Sequence, residues 1–262
     1  MRATAAAACT TDPVAHLHRN VDGFGEDAAE AYERGRAGFP PVVLDALGLA
    51  PGSRVLDLAA GTGLLAGALQ DAGHDVVAVE PMPAMRSRLA RRIGERRTLD
   101  GTAEAIPLDD ATVDAVVVAD AFHWFDGPAA VAEIHRVLRP DGRCVLVWRA
   151  AEWPDAPEWW RRLWARMDRL RGDHPGFVGD QGRGAFDRHG GFTALQHTTV
   201  DFDKTTDVEG MLANLRSISY VGLLPENVRR ALLDDVRADL KDARVGTFVE
   251  PQRAHLWATR RR

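Results

Sequence analysis

Two cysteines among 262 residues, Cys9 and Cys144, supply neither a disulfide framework nor the spacing of a metal site, and the chain reads as cytoplasmic. Long hydrophobic runs are missing too: nothing approaches the roughly 18 consecutive apolar residues that a membrane span needs. The Ala5–Ala8 run is shorter than the apolar core of about 7–15 residues in an export signal, so the N-terminus reads as a tail. Neither sign of charge dominates, with a net charge of −5 and arginines scattered among acids. That balance argues against a partner bound through a phosphate backbone. We therefore expect no nucleic-acid and no membrane partner; no feature of the sequence decides between a monomer and a homodimer. The one arginine cluster, Arg86, Arg88, Arg91, Arg92, Arg96 and Arg97, reads as a solvated helix face.

What is present is alternation. Short apolar runs and helical patterns succeed one another through the middle of the chain, as in βαβ units around a parallel sheet. Strands are expected at 54–58, 76–79, 97–100, 115–119 and 144–148, with helices starting near Gly63 and spanning 82–93 and 128–138. The valine run at 116–118, within 115–119, suits a strand covered on both faces. Five alternations predict an α/β fold with a doubly wound, Rossmann-like, mostly parallel sheet. The flanks read as helical: 28–38 as a lid, 42–47 as a helix with Pro41 in its first turn, and 158–171 as an amphipathic helix striped by Trp160, Trp164, Met167 and Leu170. Residues 172–191 read as an irregular loop, 207–223 and 225–244 as helices, and 253–259 as a last strand. The expected division is 1–40, tail and helical lid; 41–150, cofactor-binding α/β core; and 151–262, substrate-side helices, inserted after strand five, with the final strands of the sheet.

The segment from Val55 to Gly63 is a strand that runs through Asp57 into a glycine turn, the form of a nucleotide-cofactor loop. Gly61 to Ala66 also fits the dinucleotide pattern G-x-G-x-x-G/A, which keeps an NAD-dependent oxidoreductase open at this point. Asp57 weighs against it, because a carboxylate at the strand mouth repels a pyrophosphate and attracts a cationic amino group. Glu80, ending strand two, is placed for ribose hydroxyls under either reading.

The stations that follow resemble the class I S-adenosylmethionine-dependent methyltransferases, in the bacterial small-molecule branch similar to trans-aconitate methyltransferase. The resemblance runs from Ala28 to Trp148 and rests on Ala-x-x-Tyr-x-x-Gly-Arg at 29–36, the loop from Asp57 to Gly63, Glu80-Pro81-Met82, Ala103-Glu104-x-x-Pro107, Phe122-His123-Trp124 and Arg136 to Gly142. It implies S-adenosyl-L-methionine as cofactor, with Asp57, Ala59, Gly61 and Gly63 around the methionine part and Glu80 on the ribose. Pro81 and Met82 would cover the adenine, Thr102, Ala103 and Glu104 would line its edge, and Tyr32, Ala119 and His123 would complete the pocket. Ala59 replaces a common glycine and Thr102 a frequent aspartate.

Methyl transfer needs alignment and exclusion of water more than acid catalysis. His123 and Tyr32 are the candidate catalytic or orienting groups, and Phe122, Trp124, Trp148, Arg216 and Tyr220 the candidate substrate contacts; Arg36 and Arg216 are each suited to a substrate carboxylate or to a surface ion pair. No Asn/Asp-Pro-Pro-Tyr/Phe follows strand four, which disfavours nucleic-acid and glutamine acceptors, and no metal is expected although Asp120 and Asp126 lie near His123. A cyclase or binding protein on the same scaffold is the other alternative.

Overall fold

The computed structural model describes residues 26–171 and 183–262. A seven-stranded sheet runs in the order β3-β2-β1-β4-β5-β7-β6. Its strands are β1 (Arg54–Leu58), β2 (Asp75–Val79), β3 (Thr98–Leu99), β4 (Val113–Ala119), β5 (Leu138–Ala151), β6 (Gln196–Thr206) and β7 (Phe248–Arg260). The first five are mutually parallel, whereas β7 is antiparallel to both its neighbours. The chain direction of strand order reverses between β1 and β4, and in open α/β sheets that seam, at the carboxyl ends, is where ligands bind.

Alternate side chains of each central strand enter different cores, which is why these strands read as continuous apolar runs. Leu56, Val77, Val116 and Leu146 point to one face, covered by α5 (Gly127–Val137) and α7 (Gly184–His189) through Ile134 and Phe186. Val55, Val76, Val117 and Val145 point to the other, covered by α2 (Pro41–Ala46), α3 (Leu64–Asp71) and α4 (Pro83–Ile93) through Val43, Leu69 and Leu89. A third core lies apart from the sheet. There α6 (Glu158–Arg171), α8 (Val208–Arg216), α9 (Ser219–Gly222) and α10 (Glu226–Asp242) pack around Met167, Met211, Leu215 and Val236.

Several boundaries differ from the sequence reading. Strand three is only two residues long, and β5 extends to both sides of 144–148. Between β4 and β5 the register passes from Val113↔Leu138 to Ala115↔Arg143, so Arg139-Pro140-Asp141-Gly142 bulges out of the ladder around Asp141, whose φ is +61°. Of the expected loop at 172–191, residues 172–182 lie outside the described part, and 184–189 form α7, which buries Phe186. β6 is not among the expected strands: its first four residues, Gln-His-Thr-Thr, are polar on both faces, and apolar alternation begins only at Val200 and Phe202, which pack against the second face of the sheet. Among the described residues no helix is long and apolar enough to cross a membrane.

The lid helix α1 (Glu26–Gly35) is fixed at three points. Glu33 accepts from Arg88 at 2.8 Å and from Arg92 at 3.0 Å, and Arg92 also donates to the Thr62 carbonyl. The arginine cluster is thus more than a solvated face: Arg86 caps the Glu80 and Pro81 carbonyls, and Arg97 bonds Asp75. The third point is Gly35, pressed on α8, where an added Cβ would sit 2.1 Å from the Asn214 nitrogen. Gly35→Ala should therefore lower stability by about 1–3 kcal/mol through overpacking. Gly38→Ala, with open space around it, should stay within about 0.5 kcal/mol of the parent; thermal denaturation of both variants compares them.

Candidate functional site

The carboxyl ends of β1, β2 and β4 form one acidic seam. Asp57 lies in β1 opposite Ala78 on β2 and Val117 on β4, and is 1% exposed. Its Oδ2 is buried and accepts no hydrogen bond. Burial pushes the Asp57 carboxyl up to about 7; the neighbouring Glu80 adds to the rise, while the Ala66 amide and Arg149 oppose it. Glu80, just past β2, is likewise raised by burial to about 7 although two amides counter the shift. The Gly61 N–H donates to its Oε2 at 2.7 Å and the Met82 N–H to its Oε1 at 2.9 Å. The glutamate thus fixes the glycine turn as well as facing the seam.

The turn itself needs left-handed backbone. Ala59, Gly61 and Gly63 have φ of +59°, +58° and +83°. A side chain at Gly63 would strike Leu89 at 2.6 Å, which makes that glycine a packing requirement between α3 and α4. Around Gly61 the space is open: a Cβ would meet only the Tyr32 ring, 4.0 Å away. Tyr32 descends from α1 and covers the turn, half-buried, with its hydroxyl pKa raised by burial and by Asp120 and Asp57 against the pull of Arg36 and Arg149.

The turn after β4 carries the next group. Asp120, in the left-handed region at φ +53°, accepts from the Arg149 backbone N–H at 2.9 Å and from its guanidinium at 2.7 and 3.1 Å. Burial favours a neutral Asp120, but Arg149 and Arg36 outweigh it and hold the carboxyl below its usual range. Arg149 also donates to the Ala37 and Gly38 carbonyls and stacks on Phe39, its carbon 3.9 Å from the ring centre. Sequence reasoning passed over this pair as a unit. The register explains the pairing: Ala119 pairs with Val147, so Asp120, just past β4, and Arg149, in β5, lie one and two residues further on along adjacent strands, and nothing in the sequence alone fixes that register. Asp126, the other suspected metal ligand, caps α5 by accepting from the Ala129 N–H.

His123 and Trp124 form a short 3-10 turn after β4 with their rings 4.9 Å apart, both half-buried. Ala119 ends β4 beside them. Pro81 is exposed and Met82 half-buried at the start of α4. The post-β3 loop is a tight bridge between Thr102 and Ala105. Its Ala103 side chain faces the core, and one oxygen of Glu104 accepts from the Asp126 N–H at 2.9 Å. Glu133 and Arg136 of α5 secure that loop by hydrogen bonds to the Ile106 N–H and to the Ile106 and Leu108 carbonyls.

Three expected substrate contacts are located elsewhere. Phe122 is packed in the core between Phe125 and Phe186. Trp148, 2% exposed, belongs to the same core, beneath the Arg183 guanidinium, because its position in β5 points to the α5 side. Arg216 lies on the surface and pairs with Asp27 at 3.3 Å. Tyr220 is half-buried against the third core, within the electrostatic reach of Asp168, Arg171 and Arg36.

Beyond Asp120 opens a cavity of about 460 Å3 between α1, α6, α8 and the β6–β7 ladder, with Arg36, Arg149, Trp160, Trp164 and Lys204 in its walls. Its place, next to the acidic seam but outside it, gives the site two compartments.

Because Asp57 and Glu80 titrate above their unfolded values, the folded chain holds protons between about pH 4 and pH 7 that the unfolded chain has released; the stability they contribute is whole below about pH 4, declines as pH rises from there to about 7, and is gone above it. Asp57→Asn removes the buried charge. It should raise the melting temperature of the ligand-free protein most at pH 8, about half as much at pH 5.5 and little at pH 4, as measured by calorimetry at the three values.

A family model described as a methyltransferase domain matches residues 56–146. An uncharacterized methyltransferase of Mycobacterium tuberculosis is 42% identical over 214 residues, covering 82% of this chain and 84% of the relative. The demethylmenaquinone methyltransferase of Renibacterium salmoninarum is 40% identical over 111 residues, or 40% of this chain and 45% of that protein. Among solved structures, a protein of Anabaena variabilis assigned as a methyltransferase of an antibiotic biosynthesis pathway superposes with a TM-score of 0.57 at 23% identity, covering 81% of this chain and 94% of its own. The dinucleotide alternative falls with these matches, and the sheet order and acidic seam agree with them: the chain belongs to the methyltransferase family and has its class I, Rossmann-like fold.

Proposed function

We propose that the protein uses S-adenosyl-L-methionine to methylate a small molecule received in the cavity beyond Asp120. The observation that carries this reading is Asp57: a buried carboxylate oxygen without a partner, at the mouth of β1, beside an open glycine cradle. A buried anion of that kind calls for a cationic ligand, and the amino group of the cofactor is one.

When bound, S-adenosyl-L-methionine supplies a methyl group on a positively charged sulfur that a nucleophile can take in line. Asp57 receives the ammonium group, and the Ala59–Gly61 backbone holds the methionine part. Glu80, whose oxygens keep lone pairs after accepting two amides, takes the ribose hydroxyls. Met82 covers the adenine, whose edge meets Thr102 and the backbone of Ala103; Glu104, already bound to the Asp126 amide, offers its second oxygen. Tyr32 closes the methionine end from the lid and shields it from water, which sharpens alignment. His123 and Trp124 wall the passage between the compartments, with His123 as the orienting group and, for a hydroxyl acceptor, the base.

The acceptor is small on this reading because the cavity, walled by α6, Asn214 of α8 and the β6–β7 ladder, has the volume of ordinary metabolite sites. The demethylmenaquinone methyltransferase, similar over 40% of this chain, lends support to a small-molecule acceptor.

Calorimetric titration tests the cofactor. S-adenosylhomocysteine and S-adenosyl-L-methionine should bind and NAD should not, and Asp57→Asn should weaken S-adenosyl-L-methionine about 100-fold, the roughly 3 kcal/mol that follows from stripping a buried charge pair of one member. Tight NAD binding with none of the sulfonium would overturn the proposal. Cofactor binding without S-adenosylhomocysteine formation on any acceptor would leave a binding protein or cyclase instead.

A further inference from the structure

The cavity beyond Asp120 carries an uneven charge. Three of its cations have carboxylates. Arg149 donates from Nε and one terminal nitrogen to a single oxygen of Asp120, at 3.1 and 2.7 Å. Lys204, on β6, meets Glu250, on β7, at 3.2 Å, both largely buried. Arg171 has Asp168 one helical turn back at 3.7 Å. Arg36 differs. It follows the last residue of α1, and its partners among the described residues are the Ser217 hydroxyl, to which Nε donates at 3.1 Å, and the Tyr32 ring, 5.1 Å away. No carboxylate of the described residues lies within 4.0 Å of its guanidinium.

Two features ease that charge without neutralising it. The carboxyl end of α1 carries roughly half a negative charge, and the ring face of Tyr32 contributes about 0.5–2 kcal/mol. Neither occupies the terminal nitrogens, which form a planar fork suited to a carboxylate. Asp120 is near enough for Arg36 to help hold it ionised, but its oxygens are committed to Arg149. Counting the lining groups, four cations (Arg36, Arg149, Arg171, Lys204) face three acids (Asp120, Asp168, Glu250), an excess of one positive charge. Trp160 and Trp164, their ring centres 5.3 Å apart and planes inclined at 58°, also line the cavity and give it an apolar part continuous with the third core.

The geometry points to an acceptor with one carboxylate and an apolar or aromatic body: the carboxylate on Arg36, the body against Trp160 and Trp164. This rests on the function proposed above, since it names the acceptor of that same site. The arrangement also sets the polarity of the two compartments. The seam at Asp57 and Glu80 favours the ammonium group of the cofactor and repels the acceptor's carboxylate, which the net positive cavity at Arg36 attracts; loss of S-adenosylhomocysteine binding in Arg36→Gln would instead give Arg36 to the cofactor's own carboxylate and overturn the inference. Arg36 is a specificity-determining residue, and Asp120 with Arg149 is the partition between the two.

The test uses the full chain saturated with S-adenosylhomocysteine, titrated calorimetrically with cinnamate and benzoate and with their neutral amides. The carboxylates should bind at least about tenfold more tightly than the amides, within the range expected for a charge-assisted hydrogen bond. Arg36→Gln should erase that preference while S-adenosylhomocysteine still binds; Arg36→Lys, which keeps the charge, should retain part of it. Equal binding of acids and amides, no binding of either, or an unchanged preference in both variants would overturn the inference. Failure of S-adenosylhomocysteine to bind the parent chain is a different result, and refutes the proposed function instead.

Discussion

The Asp120–Arg149 pair is the contact on which the site depends. Asp120 can receive both the amide and the guanidinium of Arg149 because its backbone turns through the left-handed region at the end of β4, next to the end of β5. With one side thus fixed, the guanidinium reaches the Ala37 and Gly38 carbonyls and lies over Phe39. It therefore ties the connection between the lid and α2 to the sheet. A buried pair of this kind adds little net stability, but removing one partner leaves a charge stranded under the lid. Its contribution is placement.

That placement produces a site of two polarities. On one side Asp57 and Glu80 are buried acids forced upward in pKa, and without a ligand they repel each other. On the other the cavity has one cation too many. A parallel sheet makes this possible, because strands β1, β2 and β4 all release their chains at the same edge, so residues far apart in sequence converge there. The antiparallel β6 and β7 extend the sheet and add Lys204 and Glu250 to the cavity wall. Methyl transfer asks for this separation: the donor and acceptor must meet in line while neither occupies the other's pocket.

The central sheet was legible because burial on both faces makes β1, β2 and β4 mostly apolar, and because Gly61, Gly63 and Glu80 mark the turns between them. The edges were less so. β6 exposes one face and one edge, so its polar first residues carry no strand signal, and β3 is too short to show a period. Within the site, Asp57 and Glu80 were readable from their position at strand ends. Phe122 and Trp148 were misplaced, since an aromatic near a strand end is assigned to a pocket or to the core by which face of the sheet it takes, and that follows from register. Arg36 and Arg216 were indistinguishable in sequence. Only the packing of α1 on α8 turns Arg36 into the cavity and leaves Arg216 beside Asp27 at the surface.

The account stands or falls on Asp57 as a buried, proton-holding carboxylate that gives up its proton to receive a cation. Calorimetric binding of S-adenosyl-L-methionine at pH 6.5 in buffers of different ionisation enthalpy measures this directly. Proton release that fades above pH 8, and shrinks in Asp57→Asn, is the predicted result; an enthalpy independent of buffer at pH 6.5 would contradict it.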